Sequence, residues 1–393
     1  MFRGQLMIRN NDYIQECDSS TFTVLFDTYK NNSSIKFIHG LLKYPEWSPT
    51  TDIFQYIQNV NQLQQPNTYF LFDASTEGFC PFRNHFFDML YYNCKKYSIS
   101  PNKVLFVSTN MLDEDNIKLY NNKNNITESI HVFTFLSFKK MILDLLEDFV
   151  SPRLDPDTMF EYFKNKTRQH YVDKYVLSLS RVNRPHRTLA SYLISNSTFA
   201  EHVNISQDKI DDHEIDEIAN VYKWLPENDL KEWSKKLPFI VDTKDFEFNH
   251  ALNVNSHLHH QTLFQIVNET HVKDWNKTSI FFSEKTFRTI GHMQPFLIFG
   301  QQGCNHKLEE YGFKLYTEMF DYSFDFESNV KRRYQKLLST VEDAVNKLNA
   351  MTHNEQVEWK YSCAEKIKHN FKLITDLETD RPKFEKLIKE LQC

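Results

Sequence analysis

Short apolar runs alternate with helical patterns through the first 150 residues. Five runs are typical of buried strands, because they are short, rich in aromatic or β-branched residues and followed by turn or polar residues; they are FTVLF (22–26), SIKFIHG (34–40), TYFLFDAS (68–75), KVLFVS (103–108) and IHVFTF (130–135). Apolar residues recur at helical spacing in FRNHFFDMLYYNCKKY (82–97) and SFKKMILDLLEDFV (137–150). This alternation predicts an α/β fold with a mostly parallel sheet.

The pattern starts again after SPRLDPDT (151–158), whose two prolines mark a predicted boundary. KYVLSLS, LFQIVNET and PFLIFG are typical of strands, RPHRTLASYLISN is typical of a helix, and the stretch up to about residue 235 is polar and acidic. From about residue 325 the sequence is helical, with mixed charges that favour packing along an apolar stripe. We therefore predict an N-terminal α/β domain, a linker with a helix, a C-terminal α/β domain and terminal helices, over residues 1–150, 151–172, 173–330 and 331–393.

Composition narrows the class of protein. At 393 residues the chain exceeds what one hydrophobic core usually serves, which also favours two domains. The net charge of -6 excludes a global attraction to nucleic acid, so any phosphate site has to be local. The six cysteines are scattered without a CxxC pair, which favours a reducing compartment. Because the sequence shows neither a signal-peptide core nor an apolar run long enough for a bilayer, we expect a cytoplasmic protein without a membrane span.

The glycines concentrate around one helical pattern. Of the seven glycines, four lie in or just after the segment FFSEKTFRTIG, at positions 291, 300, 303 and 312. Ser283 is suited to cap a helix that begins at Glu284. With Lys285 in its first turn and Arg288 three residues later, this helix start predicts an anion site, where Glu284 can accept hydrogen bonds from a ribose diol. The alternative is an ordinary capped helix that binds nothing.

A second helix start has the same character. In LSLSRVNRPHR (177–187), Asn183 is a candidate N-cap and Pro185 lies near the first helical position. Arg184 and Arg187 flank this start, so two cation-bearing helix starts in one domain favour a phosphate ligand. A solvated basic turn is the alternative.

The combination VNRPHR, LFQIVNET and SEKTFRTI, followed by PFLIFG and LEEYGFKLYTEMFDYSFD, resembles the C-terminal domain of a group of phage and viral glycosyltransferases. The Ser-Glu-Lys stretch is also similar to the donor-binding motif of α1,3-fucosyltransferases. The resemblance covers about residues 170 to 335, with a more distant similarity around YFLFDASTEGFCPF (69–82). It implies a GT-B-like architecture, with two Rossmann-like domains facing across a cleft and a helical C-terminal tail. It also implies a nucleotide-sugar donor as substrate, without a cofactor or bound metal.

Carried over by position, the resemblance gives roles to single residues. Glu284 becomes the ribose-contacting acid and Lys285 a ligand of the donor diphosphate. Arg187 becomes a second diphosphate ligand, Arg184 a further candidate, and Glu269 a residue that lines the donor pocket.

One residue departs from the usual motif, because Ser283 replaces the aromatic residue or threonine that commonly precedes Glu-Lys. This change is conservative for an N-cap. Together with the anion site predicted from the helix start, the donor-binding set comprises Arg184, Arg187, Glu269, Ser283, Glu284, Lys285 and Arg288.

An inverting sugar transfer needs a general base that takes the proton of the acceptor hydroxyl. Glu77 and Asp73 follow the predicted strand YFLF and are the candidates in the acceptor-side N-terminal domain. We prefer Glu77 as the base, while Asp73 can instead hold the loop. The alternative is that both carboxylates only cap a helix beginning near Phe82.

Two sequence features are compared with metal sites, and the first is discounted. The run HLHH (257–260) has no acidic or cysteine partner at ligand spacing and is expected on the surface of a strand. Asp113 and Asp115, and also Asp155 and Asp157, match the short DxD pattern with which the other main glycosyltransferase fold binds manganese. A metal-dependent DxD-type glycosyltransferase is therefore one alternative.

The leading hypothesis is a metal-independent transferase that moves a sugar from a nucleotide-diphosphate sugar to an acceptor hydroxyl. A glycan hydroxyl and a hydroxymethylated base of phage DNA both fit as acceptors. If the protein is viral, the expected compartment is the host cytoplasm. The other alternative is a catalytically inactive module that still binds nucleotide-sugars.

Overall fold

The computed structural model describes residues 6–9, 35–42, 48–75, 80–82, 85–138, 155–180, 182–241, 256–272 and 277–392. The strands in these ranges are β1 (Leu6–Arg9), β2 (Lys36–Leu42), β3 (Thr68–Ala74), β4 (Val104–Ser108), β5 (His131–Thr134), β6 (Val176–Leu179), β7 (Val203–Ser206), β8 (Phe264–Asn268) and β9 (Phe296–Phe299). The α-helices are α1 (Phe86–Tyr97), α2 (Asp113–Asn124), α3 (Pro156–Gln169), α4 (Pro185–Ser195), α5 (Asp212–Val221), α6 (Glu227–Ser234), α7 (Ser256–His260), α8 (Glu284–Gly291), α9 (Cys304–Glu310), α10 (Val330–Asn349), α11 (His353–Lys360), α12 (Ala364–Thr375) and α13 (Arg381–Gln392).

The chain forms two compact units, and both are discontinuous in sequence. The first comprises Met1–Met141, Lys273–Phe282 and Asp376–Cys393, and the second comprises Ile142–Val272 and Ser283–Thr375. The chain therefore leaves the second unit after Val272 and returns to it at Ser283. The sequence instead predicts domains that are each continuous along the chain, and these predicted domain boundaries stay a prediction.

The first unit is built on a five-stranded sheet with the order β1-β2-β3-β4-β5. Strands β2 to β5 are parallel, and β1 pairs antiparallel with β2. Side chains alternate between the two faces along each strand. Phe70, Phe72 and Phe106 pack on one face, in a core with residues of α1 and α2. Tyr69 and Leu71 lie on the opposite face, in a core with residues of α13.

The second unit has a four-stranded, wholly parallel sheet with the order β7-β6-β8-β9. The chain first runs from β6 to β7 on one side and then crosses to β8 on the other side of β6. The strand order therefore reverses between β6 and β8. In open α/β sheets, ligands bind at such a reversal, in the crevice outside the carboxyl ends of the strands.

Helices α10 to α12 complete the second unit. Helix α10 buries Tyr334, Leu337, Val341 and Leu348, which share one face and leave charged residues on the other. The predicted α/β class, with two Rossmann-like, mostly parallel sheets and helices towards the end of the chain, is confirmed. Within the described residues, no helix has the length and apolar character that a bilayer crossing requires.

Several local predictions differ from the structure. Strand β7 is not predicted, because VNIS is a short run in a polar region. Helix α1 begins at Phe86 and not near Phe82. The segments 22–26 and 139–150 lie outside the described residues.

The expectation of a surface strand for HLHH is wrong. These residues end helix α7, where His259 and His260 are buried. The ring of His259 stacks on His292 at 3.8 Å, and its Nδ1 bonds the Gln294 side chain. The imidazoles are thus part of the core.

Candidate functional site

Residues from both predicted helix starts meet the carboxyl ends of β6 and β8 in the second unit. Helix α4 follows β6, and Glu269 and Thr270 follow β8 directly. The side-chain amide of Asn268 donates to Ser178 Oγ at 3.1 Å and to Ser180 Oγ at 2.8 Å, which joins the ends of these strands. The candidate site thus lies at the reversal of strand order.

Ser283 caps α8 as predicted, and Glu269 fixes the cap. Ser283 Oγ accepts a hydrogen bond from the Lys285 amide at 3.4 Å. Glu269 is fully buried and accepts hydrogen bonds from Ser283 Oγ at 2.6 Å and from the Ser283 amide at 3.1 Å. Thr286 Oγ1 and the Thr270 amide donate to the same carboxylate at 2.5 and 3.0 Å. Glu269 therefore joins the end of β8 to the first turn of α8.

Glu284 and Lys285 form an ion pair at this helix start, with most of each side chain covered. Burial raises the pKa of Glu284, but Lys285 and Arg288 outweigh it and hold that pKa below its usual value. Burial lowers the pKa of Lys285, and the charge of Arg187 adds to this effect. These mutual effects place the charge of Lys285 close to both Glu284 and Arg187.

Arg184 and Arg187 both contact Thr270, which follows β8. Arg184 Nη1 donates to the Thr270 carbonyl at 3.3 Å, and Arg187 Nη2 donates to Thr270 Oγ1 at 3.4 Å. Arg187 is buried, and its Nε has no hydrogen-bond partner in the part of the chain that the structure describes. Burial and the charge of Arg184 lower the pKa of Arg187 to about 10, so it stays charged at neutral pH. Within the described residues, neither arginine has a carboxylate at ion-pair distance.

One predicted detail of the α4 helix start is wrong, and His186 is a buried residue there that the sequence does not single out. Asn183 is not its N-cap, because that position belongs to Arg184. Asn183 instead donates to the Lys209 carbonyl at 2.7 Å, so its amide is engaged outside the helix. His186 Nε2 donates to the Glu269 carbonyl at 2.9 Å, and burial lowers its pKa to about 3, so the ring is neutral.

Arg288, the remaining donor-binding candidate, lies between the candidate site and the buried histidines. Its charge lowers the pKa of Glu284 on one side and contributes to the lowered pKa values of His259 and His292 on the other.

Close packing explains one of the clustered glycines, and backbone geometry explains another. A Cβ on Gly300, after β9, would lie 3.1 Å from Cys304 Sγ and 3.4 Å from Glu269 Cβ. Gly303, the N-cap of α9, has a φ of 80°, which favours glycine. Gly300 thus lets the turn after β9 approach Glu269.

Arg333 is a third arginine near this loop, and the sequence does not single it out. It lies in the first turn of α10, is 3% exposed, and donates from Nη2 to the Val272 carbonyl at 3.3 Å. The adjacent Tyr334 donates from its hydroxyl to the His186 carbonyl at 2.6 Å and stacks on Phe299. The first turn of α10 is therefore fixed against the first turn of α4.

The two candidate bases belong to the first unit. Asp73 is buried in β3, and its carboxylate accepts a hydrogen bond from the Ser75 amide at 2.9 Å. This contact is the loop-holding role considered for Asp73. Glu77 lies outside the described residues, so its role stays a prediction.

In neither DxD pair do the two aspartates face a common position where both could bind one metal ion. Asp113 is fully buried and bonded by Ser108, Asn110 and Asn116, whereas Asp115 is exposed and pairs with a lysine. Likewise, Asp155 caps α3 and Asp157 pairs with Lys368 on the surface. No group of three or more metal-ligating side chains occurs in the part of the chain that the structure describes.

Comparisons with known proteins include a distant structural neighbour. No protein-family model matches the chain, and no curated protein matches it at a significant level. Its fold is similar to the crystal structure of an α,α-trehalose 6-phosphate synthase from Burkholderia multivorans, with a TM-score of 0.44 and 9% identity. The similarity covers 94% of this chain and 74% of that chain.

Proposed function

We propose that the second unit binds a nucleotide-diphosphate sugar and that the chain is a glycosyltransferase. One observation carries this proposal. Arg184 and Arg187 at one helix start bond Thr270, and Lys285 Nζ at the other lies 3.3 Å from Ser283 Oγ, which donates to Glu269, at the place where the strand order reverses. Helix N-termini and nearby cations bind phosphate groups, and ligands of open α/β sheets bind at this position. The arginines have no carboxylate partner within the described residues, which leaves them available for an anion.

The contacts suggest how the donor is held. Arg187 and Lys285 bind the diphosphate, with Arg184 at the more exposed rim. When Lys285 turns to the phosphate, the Glu284 carboxylate is released to accept hydrogen bonds from the ribose diol. Glu269 holds Ser283 and the first turn of α8 in place, and Arg288 supports Glu284 through its charge.

The reaction that fits this site is an inverting transfer. An oxygen of the acceptor hydroxyl attacks the anomeric carbon, the bond from that carbon to the diphosphate oxygen breaks, and a general base takes the hydroxyl proton. The leaving diphosphate gains negative charge, which Arg187 and Lys285 stabilise. No metal is required for this step, and Glu77 remains the proposed base, with Asp73 as the second candidate.

Thermal denaturation with UDP-, GDP-, CMP- and dTDP-sugars tests donor binding. A ligand at about 100 times its dissociation constant stabilises the native state by about 2.7 kcal/mol, which shifts the melting temperature by several degrees. The Lys285→Ala variant is expected to lose this shift because the phosphate loses a charged partner. The matched control is Lys235→Ala, which removes an exposed lysine paired with Glu232 in the same unit. If no nucleotide-sugar shifts the wild type, the donor site is wrong.

A transfer assay tests catalysis with the donor identified in this way. Sugar release or transfer to a glycan should fall in Glu77→Gln while donor binding persists, and activity in EDTA should equal activity without it. Binding without turnover of any acceptor would instead favour the inactive binding module.

Duplex DNA with hydroxymethylated pyrimidines tests the DNA acceptor. If DNA is the substrate, its affinity should fall steeply as salt rises, because phosphate contacts release counterions. If this DNA neither binds nor accepts sugar at low salt, the glycan remains the proposed acceptor.

A further inference from the structure

Arg333 is a buried cation whose hydrogen-bonding capacity is mostly unused. Among the described residues its guanidinium makes one long hydrogen bond, from Nη2 to the Val272 carbonyl, while Nε and Nη1 have no hydrogen-bond partner there. The guanidinium carbon lies 5.6 Å from the centre of the Phe299 ring, so an aromatic ring forms part of its surroundings. No carboxylate lies at ion-pair distance from it among the residues described.

A second buried cation of the same unit shows the usual structural arrangement. Lys360 is as deeply buried, and its ammonium donates to the His259 and Thr262 carbonyls at 2.7 and 2.9 Å and to Thr167 Oγ1 at 3.4 Å. Its three donors are satisfied by the fold. Arg333 differs, because one long hydrogen bond uses little of its donor capacity, and a buried charge that is so incompletely hydrogen-bonded is strongly unfavourable unless something compensates it.

The position of Arg333 points to what compensates it. Arg184 and Arg187 bond Thr270, and Arg333 bonds Val272, so three arginines hold one three-residue loop after β8. Tyr334 also ties the start of α10 to the start of α4 through the His186 carbonyl. Arg333 thus flanks the same strand ends as the proposed donor site.

We propose that Arg333 is a third anion-binding residue of this site and that it makes the site selective for diphosphate over monophosphate groups. This inference rests on the proposed function for the identity of the nucleotide, although the anion contact itself does not require it. A guanidinium presents its N–H groups as a planar fork that matches two phosphate oxygens. Nε and Nη1, which have no hydrogen-bond partner among the described residues, are the donors that would bind these oxygens.

The test measures binding constants by calorimetry for pyrophosphate, inorganic phosphate, and the di- and monophosphates of the preferred nucleoside. Wild type is compared with Arg333→Gln, with Arg333→Lys, and with Arg332→Gln as the matched control. Arg332 is the neighbouring arginine, is 64% exposed and pairs with Glu327 on the surface. The preference for diphosphate over monophosphate should fall about tenfold or more in Arg333→Gln, as expected for a lost charge-assisted contact. It should stay unchanged in Arg332→Gln.

The ratio of the two affinities separates binding from a structural role, because a merely distorted site would weaken both ligands alike. An unchanged ratio in Arg333→Gln overturns the inference. If Arg333→Gln does not fold, Arg333→Lys decides in the same way, because lysine keeps the charge and loses the fork; an unchanged ratio there overturns the inference too.

The pyrophosphate arm separates this inference from the proposed function. Wild type that prefers pyrophosphate over phosphate through Arg333 but binds no nucleotide would refute the nucleotide-sugar function and support the anion site. Wild type that binds nucleotide diphosphates with the same preference in every variant would refute the role of Arg333 alone. Wild type that binds none of these anions would overturn both.

Discussion

Replacing Glu269 by glutamine perturbs the contact that joins the end of β8 to the start of α8. The carboxylate accepts hydrogen bonds from the Ser283 amide and hydroxyl, from Thr286 Oγ1 and from the Thr270 amide, all in a fully buried place. Glutamine has nearly the same shape, but its side-chain amide has one accepting oxygen. Its NH₂ group would face N–H and O–H groups that are donors themselves. At least one buried donor of the set is then left without an acceptor.

The expected cost follows from these contacts. A hydrogen bond to a charged group contributes about 1.5–3 kcal/mol, and an unsatisfied buried group costs about 1–3 kcal/mol. Because the hydroxyls of Ser283 and Thr286 can rotate towards other acceptors, we expect a loss of about 2–4 kcal/mol. For a unit of this size that corresponds to a fall in melting temperature of about 5–15 °C.

Urea and thermal unfolding of the protein without nucleotide measure this loss. Glu365→Gln is the control, since that side chain is 92% exposed and pairs with Lys368 on the surface; it should change stability by less than about 0.5 kcal/mol. The double variant Glu269→Gln with Ser283→Ala should cost less than the sum of the single variants, because both remove the same contact. A melting temperature within 2 °C of wild type in Glu269→Gln, or strict additivity with Ser283→Ala, would refute this view of the helix start.

Three further predictions concern other parts of the fold. Burial lowers the pKa values of His260 and His292 to about 3. Both rings therefore stay neutral in the folded protein, whereas in the unfolded chain they gain protons below about pH 6.5. Each histidine should lower the free energy of unfolding by about 1.4 kcal/mol per pH unit as the pH falls from 6.5 towards 3. Urea midpoints at pH 7, 6 and 5 that do not differ would contradict this. Phe384→Ala empties a fully buried position of α13 and should cost about 3–5 kcal/mol in urea unfolding, whereas Lys386→Ala on the exposed side of the same helix should cost almost nothing. Gly303→Ala places a side chain at a φ of 80°, where no described atom lies within 4 Å of the added Cβ. Thermal unfolding should therefore show a loss of stability of about 1 kcal/mol that comes from the backbone conformation alone. A smaller loss in Gly303→Asn would support that cause.

The two helix starts of the site could be predicted from the sequence because both signals are local. An apolar run followed by Ser283, or by Arg184 and Pro185, predicts a strand, a turn and a helix within a few residues. The strand order that brings these starts together depends on pairing between distant segments, which local patterns do not contain.

Arg333 shows where a local pattern misleads. In the run KRRYQK, two adjacent arginines are typical of a solvated helix face, yet Arg332 is exposed and Arg333 is buried. The signal was present in the helical period, because Arg333 lies four residues before Leu337 and eight before Val341, which are both buried. A charged residue in phase with an apolar stripe is therefore a candidate for a buried functional cation.

The short helix α7 and strand β7 had weaker signals. A helix of five residues carries no full period of hydrophobic positions, so the histidines at its end could not be placed in the core from sequence. Likewise, the strand Val203–Ser206 has only two apolar residues, and its pairing with β6 supplies the rest of its stability.

The packing of α13 on the first sheet affects how this protein folds as it is synthesised. Lys383 donates to the Thr134 carbonyl at 2.8 Å although the two residues are 249 positions apart. At about 5–20 residues per second, a ribosome needs roughly 12–50 seconds to make the chain between them. During that time the sheet face that carries Tyr69 and Leu71 lacks the part of its core that α13 supplies. The first unit is therefore begun before the second unit and completed after it, so its apolar core forms in two stages during synthesis.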